Sequence, residues 1–263
     1  MDLQVRDRVY LIAAGSRGLG FAIARQLALA GAHVVLGSRQ REEVEGAAQT
    51  LRGESGGQVV GSTLDMRDAQ SIERWVAGAM EQFGAIDGVL VNAGGPPPGG
   101  FDDFDDAAWQ AAFDLTLMSA VRLVRQSLPA LRRSKAASIL VLTSSSVKEP
   151  IDMLLLSNVM RSGVSSLAKS LSRSLATDAI RVNNLVPGQI YTDRIKALDA
   201  KLAQANGVDV AAQRASNEAL IPLGRYGDPE EFGKAGAFLL SPAASYITGA
   251  SLVVDGGSMK SLF

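Results

Sequence analysis

The chain has 263 residues, 47% of them hydrophobic, with a formal net charge of -1 and no cysteine. The lack of cysteine excludes disulfides, thiolate metal sites and cysteine nucleophiles, and near-neutral charge gives no reason to expect nucleic acid or an anionic membrane as partner. The segment from Met1 to Arg8 is too polar for a signal peptide, and no apolar stretch approaches the ~18 residues needed to span a bilayer, so the expected compartment is the cytoplasm.

In chain order, residues 9–12 form the first predicted strand, an apolar run suited to a strand covered on both faces. A glycine-rich turn at 15–20 follows and opens a helix over 20–30. A second apolar run lies at 34–36, then helical patterns at 41–51 and 69–83, and a strand at 88–91, counted as the fourth. The run Gly95-Pro96-Pro97-Pro98-Gly99-Gly100 reads as a stiff loop at that strand's carboxyl edge. The acidic stretch at 102–106 precedes Ala107-Ala108-Trp109, where aspartates cap a helix and complement its dipole; no metal site is expected from it. The basic residues between Arg122 and Lys135 read as a solvated helix face and end. A strand at 139–142, a helix at 163–176 and a strand at 252–254 complete the pattern. Strand and helix alternating in this way specify an α/β fold with a doubly wound parallel sheet. With no internal repeat and no linker, residues 1–263 read as a single domain.

The turn Gly15-Ser16-Arg17-Gly18-Leu19-Gly20 sits where a dinucleotide fold needs it, after the first strand and at the start of a helix. Glycines there let the backbone turn tightly and approach a pyrophosphate held on the helix N-terminus. The second strand ends in Gly37-Ser38-Arg39. A carboxylate at that place would accept hydrogen bonds from the adenosine ribose and repel a 2′-phosphate. Ser38 and Arg39 do the opposite, and Arg17 supplies a second cation, so the expected cofactor is NADP(H) rather than NAD(H).

These segments resemble the short-chain dehydrogenase/reductase family over nearly the whole chain, from about Arg8 to Gly257, with the 3-oxoacyl-(acyl-carrier-protein) reductase-like branch the most similar. Asn92-Ala93-Gly94 resembles the family's motif after the fourth strand, and Asp65, with Met66 beside it, matches the aspartate near the adenine ring. Arg181-Val182-Asn183, then Pro187, Gly188, Ile190 and Thr192, match the segment that cradles the nicotinamide. Gly224-Arg225, Asp228-Pro229-Glu230-Glu231, Tyr246-Ile247-Thr248-Gly249 and Val253-Val254-Asp255-Gly256-Gly257 match its tail. The resemblance implies a Rossmann-type sheet of about seven strands flanked by helices.

It also implies a serine, tyrosine, lysine and asparagine catalytic set, and the chain departs from it. Ser144 stands at the end of the fifth strand, thirteen residues before the tyrosine position, with Ser145 and Ser146 as neighbours able to substitute. The tyrosine position is Ser157, the lysine position Arg161 and the asparagine position Thr116. Ala14 replaces the first glycine of the turn, which requires a backbone at negative φ there. Ser157 is a far weaker acid than a tyrosine, whereas Arg161 can hold ribose hydroxyls and stabilise a developing alkoxide. Tyr191, Lys148 and Glu149 are the alternative proton donors. The single histidine, His33, has no catalytic role in this topology.

The expected activity is NADP(H)-dependent reduction of a carbonyl, 3-oxoacyl-like substrate, or the reverse oxidation, with an atypical proton-delivery set. The alternative is a catalytically silent dinucleotide-binding sensor or assembly protein. The segment 193–222 is the expected substrate lid, with Arg194, Lys196, Lys201 and Arg214 as cations able to meet an anionic or carrier-linked substrate. The apolar stripe Val164, Leu167, Ala168, Leu171 and Leu175 exceeds what the sheet needs, and family members pair through this helix and the last strand. A homo-oligomer, tetramer or dimer, is therefore expected.

Overall fold

The pentapeptide VYLIA forms β1 (Val9–Ala13), buried at every residue. Its side chains alternate across the sheet, Val9, Leu11 and Ala13 entering one core and Tyr10 and Ile12 the other. A strand covered on both faces has no polar side to offer, so the run is apolar throughout. The structure, a computed structural model, describes residues 1–55 and 57–261.

Six strands join β1 in one parallel sheet: β2 (His33–Ser38), β3 (Val59–Thr63), β4 (Gly88–Val91), β5 (Ser138–Leu142), β6 (Arg181–Pro187) and β7 (Ser251–Val254), in the order β3-β2-β1-β4-β5-β6-β7. The helices are α1 (Gly18–Leu29), α2 (Arg41–Glu54), α3 (Ala69–Phe83), α4 (Asp106–Ala112), α5 (Ser119–Leu131), α6 (Leu155–Ser174), α7 (Asp193–Asn206), α8 (Val210–Ala219) and α9 (Pro229–Leu240). Residues from α3, α5 and α6 share the core with Val9 and Leu11; residues from α1, α2 and α9 share the core with Tyr10 and Ile12. The chain reverses its winding between β1 and β4, and the crevice outside the carboxyl ends of strands at such a switch point is where α/β sheets bind ligands.

The doubly wound parallel sheet of seven strands is as expected. The apolar runs did not mark β3 or β6. β6 buries Arg181, Asn183 and Asn184, whose polar groups find partners far along the chain. Arg181 donates to the carbonyls of Leu239, Leu240 and Ser241, closing the carboxyl end of α9. The other end of α9 carries a reciprocal capping box between Asp228 and Glu231 with Pro229 in the first turn, which explains that run of residues mechanically. α6 begins at Leu155 rather than 163, so Ser157 and Arg161 lie on it. Asp105 caps α4 by accepting from the Ala108 N–H, the role expected for the acidic run. Among the described residues no helix is long and apolar enough to cross a membrane.

Candidate cofactor and active site

The turn after β1 is tighter than expected. Ala14 has φ +52, in the left-handed region, which corrects the expectation of negative φ. A Cβ there carries a penalty of roughly 1–2 kcal/mol, held in place by the surrounding turn. Gly15 N–H donates to the Gly37 carbonyl (3.1 Å), tying the turn to β2. A Cβ on Gly20 would overlap the Ala14 carbonyl, so that position must be glycine, and Gly18 has φ +61, which glycine adopts without strain. Leu19 lies in the first turn of α1 and packs partly into the core. Arg17 is the N-cap and makes no side-chain cap, leaving the amides at this helix start to meet an anion. A phosphate-bearing dinucleotide fits this cradle.

At the end of β2 the Ser16 hydroxyl donates to the Ser38 hydroxyl at 3.1 Å. Arg17 and Arg39 are exposed and, among the described residues, make no ion pair or side-chain hydrogen bond. Asp65 is held by both ends of the Arg67 guanidinium (2.6–3.2 Å), which keeps its carboxyl below the usual range. Arg67 was not singled out from sequence; the signal was its place two residues beyond Asp65. Met66 is buried beside them. Asn92, Ala93 and Gly94 follow β4, while Pro187 ends β6 and Gly188 N–H donates to the Val254 carbonyl (2.9 Å). Ile190 is buried and pairs by an isolated bridge with Gly227. Thr192 stands at the N-cap position of α7 without a side-chain cap bond, its methyl 3.7 Å from where a Cβ on Gly18 would stand, so this segment lies across from the glycine-rich turn.

Beyond β5, Ser144 is half-buried and opens a single 3-10 turn, its Oγ accepting from the Ser146 N–H at 3.2 Å. Ser146 Oγ is buried without a hydrogen-bond partner. Ser157 and Arg161 are buried on α6, one turn apart on the same face. Arg161 Nη1 donates to the carbonyls of Leu142 (3.2 Å) and Thr143 (3.4 Å), the backbone that leads into Ser144. Burial, then the like charge of Arg194, push its pKa down to about 10, so it stays cationic at neutral pH. Thr116 lies in a π-helical segment (Phe113–Met118) between α4 and α5, its Oγ1 buried and unpartnered. Such bulges often mark functional sites. Behind the site, Thr143 Oγ1 donates to Asn184 Oδ1 (2.7 Å), and Asn184 donates to Ser165 and Ser251.

The alternative donors lie in different surroundings. The Tyr191 ring stacks on Tyr226 with the Arg214 guanidinium 4.1 Å from its centroid, a packing role at the lid. Glu149 accepts the backbone N–H groups of Lys260 and Ser261 (2.7 and 2.8 Å). Lys148 lines a cavity on the β7 side of α6 with Ser162, Ser166 and Lys169. His33 begins β2 and stacks on Phe83, away from the switch point.

The chain belongs to the short-chain dehydrogenase/reductase family. A family model described as enoyl-(acyl carrier protein) reductase matches residues 13–259. The bovine (Bos taurus) dehydrogenase/reductase SDR family member 4 is 35% identical over 257 residues, 97% of this chain and 88% of that protein. L-sorbose reductase from Gluconobacter frateurii, solved with NADPH and L-sorbose, superposes with a TM-score of 0.95 at 31% identity over 100% of both chains. An NADPH-bound short-chain oxidoreductase from Pseudomonas aeruginosa, described as containing an atypical catalytic center, superposes with a TM-score of 0.86 at 30% identity over 97% of this chain and 99% of that one.

Proposed function

We propose that this protein is an NADP(H)-dependent reductase of a carbonyl compound, in which Ser144, Ser157, Arg161 and Thr116 take the places of the family's serine, tyrosine, lysine and asparagine. The observation that carries the reading is the buried Arg161 guanidinium, fixed beside the end of β5 by one nitrogen and paired with no carboxylate among the described residues. A cation in that position is expensive to bury and is retained for what it can bind. Arg17 at the start of α1 and Arg39 just after β2, exposed and without an ion pair among the described residues, favour a 2′-phosphate. The nicotinamide cofactor supplies the hydride.

The chain's own residues do the rest. The amides at the start of α1 and the Ala14, Gly15 and Ser16 turn would hold the pyrophosphate; Asp65, Met66, Asn92, Ala93 and Gly94 would line the adenosine side, and Pro187, Gly188, Ile190 and Thr192 the nicotinamide side. Ser144 Oγ orients the substrate oxygen by hydrogen bonding, and Arg161 stabilises the negative charge that grows on it. The Ser157 hydroxyl, a poor acid on its own, positions or relays the proton. Residues 193–222, with α7 and α8, cover the substrate, within a single domain of 1–263. Pairing through α6 and β7 as a dimer or tetramer completes the reading, and a monomeric mass in solution contradicts that part.

A second reading, a catalytically silent dinucleotide binder, is favoured by the replacement of both the tyrosine and the lysine types. Calorimetric titration with NADPH and NADH, followed by a carbonyl screen for NADPH oxidation, separates them. Strong NADPH and weak NADH binding with turnover supports the reductase. NADPH binding with no turnover supports the silent binder, and binding of neither nucleotide removes both.

A further inference from the structure

Two buried guanidiniums in this molecule are treated differently. Arg181 uses both terminal nitrogens on backbone carbonyls around the end of α9. Arg161 uses Nη1 alone, on Leu142 and Thr143, and is 8% exposed. A second guanidinium stands nearby. Nη1 and Nη2 of Arg194, in the first turn of α7, lie 3.2 and 3.3 Å from where a Cβ on Gly95 would stand, so the group rests on the loop that follows β4. β4 pairs with β5 in the register Val91 to Val141, so this loop and the Ser144 segment leave the sheet side by side.

No acidic side chain among the described residues neutralises this pair. Among the described residues Arg194 makes no ion pair or hydrogen bond. Of the other lid cations, Lys196 pairs with Asp193 (3.1 Å) and Arg214 with Glu218 (2.9 Å), while Lys201 is exposed on α7. Glu149, the carboxylate in the loop after Ser144, accepts from the chain's final described residues. Two like charges close enough to perturb each other, one of them buried, leave net positive charge between the start of α7 and the end of β5.

We infer that the substrate is an oxo acid, or in the reverse direction its hydroxy acid, whose carboxylate is held between Arg161 and Arg194. This deepens the proposed reductase function and rests on it. Arg194 is the specificity residue, since it lies on the lid and off the proton-delivery set. A guanidinium recognises a carboxylate through parallel N–H donors, which a neutral ketone does not reward.

The test is calorimetric titration of malonate and of its neutral diamide into the protein, both free and saturated with NADPH. Malonate binding at least about tenfold tighter than the diamide is expected, the least that one charge-assisted hydrogen bond provides. Arg194→Gln is expected to remove that preference and to raise KM for oxo acids more than for their methyl esters, whereas Lys196→Gln keeps it. Equal binding of malonate and diamide overturns the inference, as does an equal effect of the two substitutions. Loss of NADPH affinity in Arg194→Gln with malonate affinity intact also overturns it, by assigning Arg194 to the cofactor. If NADPH does not bind, yet free protein still shows Arg194-dependent malonate binding, the reductase reading fails and the anion site stands.

Discussion

Arg161 Nη1 donates to the Leu142 carbonyl over 3.2 Å, joining the middle of α6 to the last residue of β5, two residues before Ser144. The bond holds a cation beneath the serine that orients the substrate in our reading, at the place where the family carries a lysine. A guanidinium with no counter-charge in a buried position favours chemistry over stability.

Arg161→Met therefore abolishes turnover and stabilises the fold. Replacing a buried charge with an apolar side chain is often worth about 1–4 kcal/mol, so thermal unfolding shifts upward by several degrees. The pH dependence carries the same sign. The folded-state pKa of about 10 lies below the ordinary arginine value, so the folded protein releases this proton first. The group's penalty is present below about 10 and shrinks as pH rises toward the ordinary value. Carbonyl reduction falls over that same rise, as the cation is lost.

Ser157→Tyr restores a positioned acid beside the Arg161 cation, which lowers the phenol pKa at neutral pH. Turnover with NADPH is expected to rise by about 10²- to 10⁴-fold, the usual worth of general acid catalysis. The position is 9% exposed, so the variant's unfolding midpoint is measured alongside its rate. An unchanged rate in a folded variant removes proton delivery from this position.

Arg39→Asp places a carboxylate where the 2′-phosphate is expected. NADPH affinity falls by on the order of 10²-fold while NADH affinity holds or improves, as loss of a charge-assisted hydrogen bond and gain of a repulsion require. Arg17→Ala lowers NADPH affinity by a smaller factor. Titration of each variant with both nucleotides checks this.

Ala14→Gly relieves a Cβ held at φ +52. It stabilises the protein by about 1 kcal/mol, seen as a rise of roughly 2–4 °C in the unfolding midpoint. Tyr191→Phe, in contrast, leaves turnover in place, because the ring acts by stacking on Tyr226 and under Arg214.

What was legible in the sequence follows from where information is local. β1, β4 and β5 announced themselves because a strand buried on both faces is apolar at consecutive positions. β6 did not, because Arg181, Asn183 and Asn184 find their partners on α9, at Ile247 and at Thr143, contacts that no window around residue 183 contains. The phosphate turn was readable from its spacing, but the sign of φ at Ala14 was not. It depends on Gly20 closing against the Ala14 carbonyl and on Gly15 bonding across to Gly37. Of the candidate site residues, Ser144, Ser157 and Arg161 were legible only through the family resemblance, whose motif spacing marks their positions. The approach of Arg194 to Gly95 needs the lid folded over the sheet edge, and the stacking of Tyr191 on Tyr226 is equally a product of the tertiary fold.

The most direct measurement is a reaction of this protein with NADPH deuterated at the transferable position of the nicotinamide and a panel of oxo acids, with the product examined by mass spectrometry. Deuterium on the former carbonyl carbon, lost in Arg161→Met, is the expected result. Bound NADPH with no label in any product would contradict the account and identify the protein as a dinucleotide binder without redox chemistry.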